Sequence, residues 1–253
     1  MRSQVDLREL PFYRGRLGAS PVPEAWSLDE LEDFAAASSD PFGGRLRPGD
    51  RVEVALQLEA TSEPPVWTAL EPRELDVWAA GVSRMWRRLG LARDDVIAFF
   101  DYGSNPCVLL STSIYVARLK RGAVERLGAT SICNDGVASM TGRMLTILGA
   151  VRPAALVVRR DLIAPLTDML ATRGVPPNSR LRWAAVVEVE GAARPADAES
   201  LRQALGVPVR RLLRADAAFL AAADCAECGL FHLDRRLYEV EQLAEGELAV
   251  TAR

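Results

Sequence analysis

The sequence predicts an α/β fold with a mostly parallel sheet that is covered by helices on both faces. From residue 72 onward, short apolar segments typical of buried strands alternate with longer segments that carry apolar residues at helical spacing. Glycines follow several of the helical segments, as they commonly do at helix ends. Strands that alternate with helices of this length form βαβ units, and such units place helices on both faces of one sheet.

The first 45 residues are predicted to form an arm that contains one short helix. Ser27 can cap that helix, and Glu30, three residues later, can complete a capping box. Residues 46–253 are assigned to the α/β domain. Its first segment, 51–58, alternates polar and apolar residues, which is the pattern of a half-buried strand.

The alternation of the main domain predicts its helices and strands in order. The helices are expected at residues 72–89, 108–127, 140–148, 162–172 and 198–205. The strands are expected at residues 95–100, 129–133, 154–158, 182–189 and 207–213. After residue 213 the alternation ends, and we expect a short alanine-rich helix at 215–223 followed by two antiparallel strands at 236–241 and 247–251.

Composition excludes several classes of protein. The net charge of −3 comes from interspersed basic and acidic residues, which argues against a nucleic-acid surface or a polybasic membrane anchor. The first ten residues are charged where a signal peptide would be apolar, and no apolar run reaches the length of a membrane span. We therefore expect a soluble cytoplasmic protein with reduced cysteines and neither nucleic acid nor membrane as a partner.

Three residues of types that bind metal ions lie close together near the end of the chain. Cys225 and Cys228 form a C-x2-C pair, and His232 is the only histidine of the protein. Two thiolates and an imidazole on one short turn are a typical part of a tetrahedral zinc site. The fourth ligand would be Cys133 or Cys107. The alternative is a pair of reduced cysteines beside a hydrogen-bonded histidine.

Polar residues follow two of the predicted parallel strands. Tyr102 and Asn105 follow the strand at 95–100, and Asn134 and Asp135 follow the next one. Ligands of open parallel sheets bind at the carboxyl ends of the strands, so these four residues are the candidate substrate-binding residues. A Ser/His/Asp triad is not expected, because the one histidine belongs to the cysteine turn.

Several landmarks together resemble the phenylacetate–coenzyme A ligase branch of the adenylate-forming enzymes. They begin at Pro11-Phe-Tyr-Arg14 and Ser27-Leu-Asp-Glu-Leu31, continue through the strand at 52–58, and end at Tyr238-Glu-Val240 and Gly246-Glu-Leu248. The resemblance covers nearly the whole chain but only the first half to two thirds of a typical member. It implies the fold of the N-terminal domain of these enzymes without their C-terminal domain.

The resemblance also locates the ATP-binding motifs, and this chain departs from both of them. The phosphate loop corresponds to Thr61-Ser62-Glu63-Pro64-Pro65, where prolines remove N–H donors and the glutamate repels phosphate. Thr61 and Ser62 are kept as weak cofactor-binding candidates. The magnesium-binding motif corresponds to Leu213-Arg-Ala-Asp-Ala217, with Asp216 one residue from the usual carboxylate. The ribose-binding Asp and the Lys of the mobile domain would lie beyond Arg253.

These departures predict that the chain does not adenylate a carboxylic acid and that ATP and magnesium are not its cofactors. The candidate cofactor is a structural zinc ion at the Cys/His turn. Our leading hypothesis is a degenerate, truncated adenylate-forming-like protein that binds a small aromatic or acyl ligand, or a protein partner. It would act as an accessory or repurposed enzyme in a biosynthetic pathway. The alternative is an active acid–CoA ligase or acyl-transfer enzyme with a noncanonical site or a partner chain. A third hypothesis is a structural subunit, in a homo-oligomer or capping a larger ligase through the edge at residues 247–251.

Overall fold

A computed structural model describes residues 9–14, 26–47, 49–58, 65–177, 179–189, 191–242 and 248–252 of the chain. The chain divides into two compact units. One comprises residues 1–74 with 241–249, and the other comprises residues 75–240 with 250–253. The predicted boundary near residue 45 lies inside the first unit, and the predicted division into domains stays a prediction.

The first unit contains two short helices and a pair of strands. They are α1 (Pro11–Arg14), α2 (Leu28–Ser38), β1 (Val54–Gln57) and β2 (Trp67–Leu70), with β1 and β2 antiparallel. The capping box of α2 is confirmed: the Ser27 N–H donates to Glu30 Oε2 at 2.7 Å, and the Glu30 N–H donates to Ser27 Oγ at 3.2 Å. The strand predicted at 51–58 is confirmed as β1, whereas its partner β2 has no counterpart in the sequence-based expectations.

The second unit follows the predicted alternation of helices and strands. Its helices are α3 (Pro72–Arg88, which begins in the first unit), α4 (Pro106–Ser111), α5 (Ala123–Arg126), α6 (Thr141–Ala150), α7 (Ile163–Arg173) and α8 (Pro195–Leu205). Its sheet strands are β3 (Val96–Phe100), β4 (Thr130–Cys133), β5 (Ala155–Arg159), β6 (Trp183–Val187), β7 (Gly191–Ala192), β8 (Val209–Ala215) and β9 (Leu220–Ala223). Two further strands, β10 (Tyr238–Gln242) and β11 (Leu248–Ala252), form a separate two-stranded sheet.

The main sheet is mostly parallel, which confirms the predicted fold class. Its order within the described residues is β4-β3-β5-β6-β8-β7, and β9 also pairs with β8. Five strands, β4, β3, β5, β6 and β8, are parallel to one another. The two short strands β7 and β9 pair with β8 in the antiparallel direction. Because the parallel strands end at the same edge, the loops that follow them meet there.

Alternate residues of the strands pack against helices on opposite faces, as a buried parallel sheet requires. On one face, Ala98 and Leu156 belong to a buried cluster that includes residues of α6, α7 and α8. On the other face, the indole of Trp86 in α3 lies 5.9 Å from the Phe99 ring and 6.2 Å from the Trp183 ring, centroid to centroid. No helix among the described residues is both long and apolar enough to cross a lipid bilayer.

The single helix predicted at 108–127 is wrong, because the chain leaves the helical conformation at Thr112. That residue is extended, with φ −134° and ψ 147°. Gly122 packs so closely on the same backbone that a Cβ would lie 2.5 Å from Thr112 Cα. The Glu125 carboxylate holds the loop by accepting from the N–H groups of Ser113 at 2.9 Å and Gly122 at 2.8 Å. The segment therefore forms α4, a loop and α5.

The alanine-rich helix predicted at 215–223 is also wrong. Residues Asp216–Ala218 form a 3₁₀ turn, Phe219 has a φ of +52°, and β9 then pairs antiparallel with β8. Alanine is a strong helix former, but the ladder to β8 satisfies the same backbone groups and places Ala222 and Ala223 in the interior. Near residue 149 the difference is smaller, since α6 continues through Gly149 to Ala150.

Candidate functional site

The carboxyl edge of the parallel sheet carries most of the predicted site residues. Asp101 directly follows β3, Asn134 follows β4, Arg159 is the last residue of β5, and Asp216 follows β8. All four side chains are buried. Buried polar groups need hydrogen-bond partners, so the partners of these residues decide what the edge can bind.

The loop after β3 is organised by a carboxylate. Asp101 Oδ1 accepts from the Tyr102 N–H at 2.8 Å and from the Asn105 side-chain amide. Asn105 is buried immediately before α4. Its amide nitrogen therefore holds the loop together, and its substrate-binding role stays a prediction.

Arg159 connects three of the loops at this edge. Its guanidinium donates twice to the Asp161 carboxylate, at 2.6 Å each, and once to the Gly136 carbonyl at 3.1 Å. The same group lies 3.9 Å above the centre of the Tyr102 ring, in a cation–π contact. Tyr102 is thus covered on one face by an arginine, and nothing in the residue pattern around positions 102 and 159 signalled this contact.

The two candidates after β4 differ in burial. Asp135 is exposed and lies 4.0 Å from the Arg143 guanidinium. Asn134 is fully buried and donates to the Met140 carbonyl at 3.1 Å, but its Oδ1 accepts no hydrogen bond from the described residues. A buried amide oxygen without a donor is a place where a water molecule or a ligand donor would bind.

The loop after β8 is closed by a buried ion pair. Arg214 donates from Nε to Asp216 Oδ1 at 2.6 Å and from Nη2 to Oδ2 at 2.5 Å, and the two side chains are only 1% and 2% exposed. Both carboxylate oxygens of Asp216 thus face one guanidinium in bidentate geometry. Burial raises the pKa of the neighbouring Cys107 thiol to about 12, with a further increase from the Asp101 carboxylate.

Thr61 and Ser62 lie within residues 59–64, outside the described residues. Their weak assignment as cofactor-binding residues stays a prediction. The same holds for Asp216 as a cofactor-binding residue, although its carboxylate is the partner of Arg214.

Tyr115 is a residue of this edge that the sequence analysis missed. Its ring packs on Gly103, where a Cβ would lie 2.6 Å from a ring carbon. Burial, followed by a hydrogen bond with the Cys133 thiol, raises the pKa of Tyr115. Its neighbour Ile114 is 69% exposed. Both residues fall within the helix predicted at 108–127, so their positions in a loop were not expected.

A second group of functional side chains lies on the turn that follows β9. The ligand atoms of Cys225, Cys228 and His232 all lie within 4.8 Å of one another, and Cys228 Sγ is 3.2 Å from His232 Nε2. The backbone N–H groups of Cys228 and Glu227 hold the pKa of the Cys225 thiol below its usual range.

The predicted fourth zinc ligand does not join this group. Cys133 ends β4, while the turn follows β9, the partner of β8. Strands β3, β5 and β6 lie between β4 and β8, which corresponds to about 19 Å across the sheet. Cys107 is buried on α4 near the Arg214–Asp216 pair and is not a member of the group either.

Neither a family model nor a curated protein sequence matches this chain. Solved structures do match it. An open conformation of 2-hydroxyisobutyryl-CoA ligase with 2-HIB-AMP and CoA has a TM-score of 0.73 at 17% identity, over 95% of this chain and 54% of that chain. Apo MbtA of Mycobacterium smegmatis has a TM-score of 0.56 at 17% identity, over 83% of this chain and 40% of that chain. A benzoate CoA ligase of Burkholderia xenovorans has a TM-score of 0.55 at 15% identity, over 81% of this chain and 39% of that chain.

At this level of identity the likeness concerns the fold. The chain has the fold of the N-terminal part of adenylate-forming acid–CoA ligases. It spans about half of the 2-hydroxyisobutyryl-CoA ligase structure and less of the other two. The particular branch represented by phenylacetate–CoA ligases stays a prediction.

Proposed function

We propose that this chain is a non-adenylating relative of the adenylate-forming ligases that binds a small aromatic or acyl ligand. In this proposal it acts as an accessory or repurposed enzyme in a biosynthetic pathway. The fold supplies the ligand-binding edge of an open parallel sheet, and the residues at that edge argue against nucleotide chemistry.

The buried ion pair between Arg214 and Asp216 is the observation that supports the proposed lack of adenylation. Asp216 is the carboxylate nearest to the position at which the resemblance places a magnesium ligand. A magnesium ion would have to displace a guanidinium from a carboxylate that is 2% exposed, with hydrogen bonds of 2.5 and 2.6 Å. Removal of one preorganised charge-stabilising group lowers an enzymatic rate by about 10²-fold or more, so loss of this ligand alone would be severe.

Asn134 supports the proposal that the chain binds a small ligand. Its buried Oδ1 lacks a donor among the described residues, and it follows β4 at the carboxyl edge. A hydroxyl or amino group of a small ligand would satisfy this oxygen. The nearby Tyr102 and Tyr115 rings supply aromatic surface of the kind that lines small-molecule sites.

The nucleotide half is tested by calorimetry of the purified 253-residue protein with ATP and magnesium, together with pyrophosphate release from a panel of aryl and short acyl acids. We expect neither heat of binding nor pyrophosphate. Micromolar ATP binding, or pyrophosphate release with any acid of the panel, would overturn it.

The ligand half is tested separately, by calorimetry of the same acids without nucleotide. We expect at least one acid to bind, and Asn134→Leu to weaken that binding by 10-fold or more. Gln203→Leu is the matched control, because it removes an exposed amide on α8, away from the carboxyl edge, and it should leave the affinity unchanged. Equal effects of the two variants, or no binding by any acid, would contradict a ligand role for Asn134.

A second candidate function is ligase or acyl-transfer chemistry that uses groups supplied by another chain. The observation that favours it is the fold, since this chain matches the 2-hydroxyisobutyryl-CoA ligase structure with a TM-score of 0.73. Pyrophosphate release that appears only when a partner protein is added would support this candidate over the first one.

A further inference from the structure

We propose that Cys225, Cys228 and His232 form a mononuclear Zn²⁺ site whose fourth coordination position is open to solvent. The proposal does not depend on the function proposed above, because the site lies on the turn after β9 and shares no residue with the loops after β3, β4 and β5.

The separations of the three donors fit the metal. In a tetrahedral complex with Zn–S of about 2.3 Å and Zn–N of about 2.0 Å, two donor atoms lie about 3.5–3.8 Å apart. Cys228 Sγ and His232 Nε2 are 3.2 Å apart, and all three donors lie within 4.8 Å of one another. Shifts of side-chain rotamers by less than about 1 Å would therefore bring the three atoms onto one ion.

The backbone of the turn is arranged around the first thiol. Cys225 Sγ accepts a hydrogen bond from the Glu227 N–H at 3.4 Å and another from the N–H of Cys228. Gly229, at φ +69°, reverses the chain and donates its N–H to the Cys225 carbonyl at 3.0 Å. Glycine adopts this left-handed conformation without steric strain. N–H donors directed at sulfur favour the thiolate, which is the form that binds a metal ion.

The turn is also anchored to the main sheet, so its donors are held in place before a metal binds. Asp224 and Phe231 form an antiparallel bridge at its base. The Asp224 carboxylate accepts from the N–H and from the Nε of Arg211, both at 3.0 Å, and the Arg211 guanidinium lies 5.3 Å from the centre of the Phe231 ring. The His232 N–H donates to the Ala223 carbonyl at 3.4 Å. Cys225 and His232 directly follow the two residues of this bridge.

The donor set determines which ion fits and how it is coordinated. Two thiolates and an imidazole suit Zn²⁺ and exclude the hard ions Mg²⁺ and Ca²⁺, which prefer oxygen ligands. Among the described residues, no further Cys, His, Asp or Glu belongs to the group, and Cys228 and His232 are exposed. With three donors from the turn, the fourth position of the tetrahedron would be taken by water or a small exogenous thiol. Binding releases the two thiol protons to solvent, so charge and protons balance.

The test uses the reduced, metal-free 253-residue protein and Co²⁺ as a spectroscopic substitute for zinc. We expect one equivalent of Co²⁺ to produce sulfur-to-cobalt charge-transfer absorption together with the strong d–d bands of four-coordinate cobalt. One equivalent of Zn²⁺ should then remove both signals. Addition of 2-mercaptoethanol should shift the d–d bands, because the thiol replaces water in the open position.

Variants identify the ligands and exclude unspecific binding. Cys228→Ser and His232→Ala should each weaken Co²⁺ binding by about 100-fold or more. Cys133→Ser is the matched control and should bind Co²⁺ like the wild type. Circular dichroism checks that each variant is folded, which we expect because Cys228 and His232 are exposed.

Three results would overturn the proposal. The first is cobalt binding without charge-transfer absorption, which indicates an adventitious ion only. The second is an affinity that falls as much in Cys133→Ser as in Cys228→Ser. The third is a reduced protein that takes up no metal. An unchanged spectrum on addition of 2-mercaptoethanol would overturn the open position, since it would indicate a fourth ligand from the protein.

Discussion

Two polar regions of the second unit satisfy their side chains in opposite ways. At the carboxyl edge of the sheet, charged groups are buried and paired with each other, as Arg214 is with Asp216 and Arg159 is with Asp161. On the turn after β9, one half-buried thiol, one exposed thiol and an exposed imidazole lie within 4.8 Å of one another. Polar residues at the usual ligand-binding edge of a fold can thus stabilise the protein itself, while side chains that could bind a metal ion lie together on a separate turn.

The stability of the protein should depend most strongly on the ion pair of Arg214 with Asp216 at the carboxyl edge. Arg214→Met should lower the free energy of unfolding by about 3–5 kcal/mol, because the buried Asp216 carboxylate loses its counter-ion. Urea unfolding curves measure the change. The exposed pair of Arg202 with Glu199 gives the control, and Arg202→Met should change stability by less than about 1 kcal/mol.

The double variant Arg214→Met with Asp216→Leu sharpens this result. Replacement of both members by apolar side chains should recover most of the lost stability, since no charge remains buried. If Arg214→Met changed the unfolding midpoint no more than Arg202→Met did, the ion pair of Arg214 with Asp216 would not stabilise the carboxyl edge.

The second ion pair of the carboxyl edge, Arg159 with Asp161, should contribute less to the free energy of unfolding. Arg159→Met is expected to lower the unfolding free energy by about 1–2 kcal/mol, through loss of the cation–π contact with Tyr102 and of the hydrogen bond to Gly136. Asp161 is 59% exposed, so water can solvate its carboxylate when the arginine is removed. Denaturant curves for the two arginine variants measured side by side check this order, and the opposite order would contradict it.

Alkaline pH should reveal the burial of Cys107. Its pKa is raised from 9.0 to about 12 in the folded protein, so the protonated thiol stabilises the fold fully below pH 9. As pH rises from 9 toward 12, the unfolded state ionises first, and stability falls by up to about 1.4 kcal/mol per pH unit.

Cys107→Ala removes this dependence while other titrating groups are unchanged. Between pH 8 and pH 10.5, the wild type should lose about 1–2 kcal/mol more unfolding free energy than Cys107→Ala does. Parallel curves for the two proteins over this range would show that the thiol ionises equally in the folded and unfolded states.

The smallest effect is expected at the Cys/His turn in metal-free protein. His232→Ala should change the unfolding free energy by about 0.5 kcal/mol or less, because an exposed side chain away from the core contributes little. With Zn²⁺ present, the wild type should be stabilised and the variant should not, since only a bound ion adds free energy to the folded state. Thermal unfolding with and without zinc, in the presence of reductant, measures both. A large effect of His232→Ala without metal would assign the histidine a structural role.

Sequence patterns correctly predicted those features whose residues lie close together along the chain. The capping box of Ser27 and Glu30 lies within one helical turn, and the donors of the Cys/His turn lie within eight residues, so spacing alone indicated both. The fold class followed from the same kind of signal, because apolar periodicity determines which face of a helix or strand is buried.

Contacts between distant parts of the chain overruled local preference elsewhere. Residues 215–223 have the composition of a helix, but the free edge of β8 made a strand the better arrangement for their backbone. The helix expected at 108–127 ends at Thr112, since Gly122 packs on that backbone and Glu125 binds the loop. Neither event leaves a periodic trace in the sequence.

The sequence by itself determined the fold class, the capping box of α2 and the grouping of three donors on the Cys/His turn, because each depends on residues a few positions apart. Only the tertiary structure decided the ion pairs of the carboxyl edge, the contact of Arg159 with Tyr102 and the distance of Cys133 from the turn after β9. These depend on the order of strands in the sheet. Strand order is set by long-range pairing and packing, which short-range spacing does not encode.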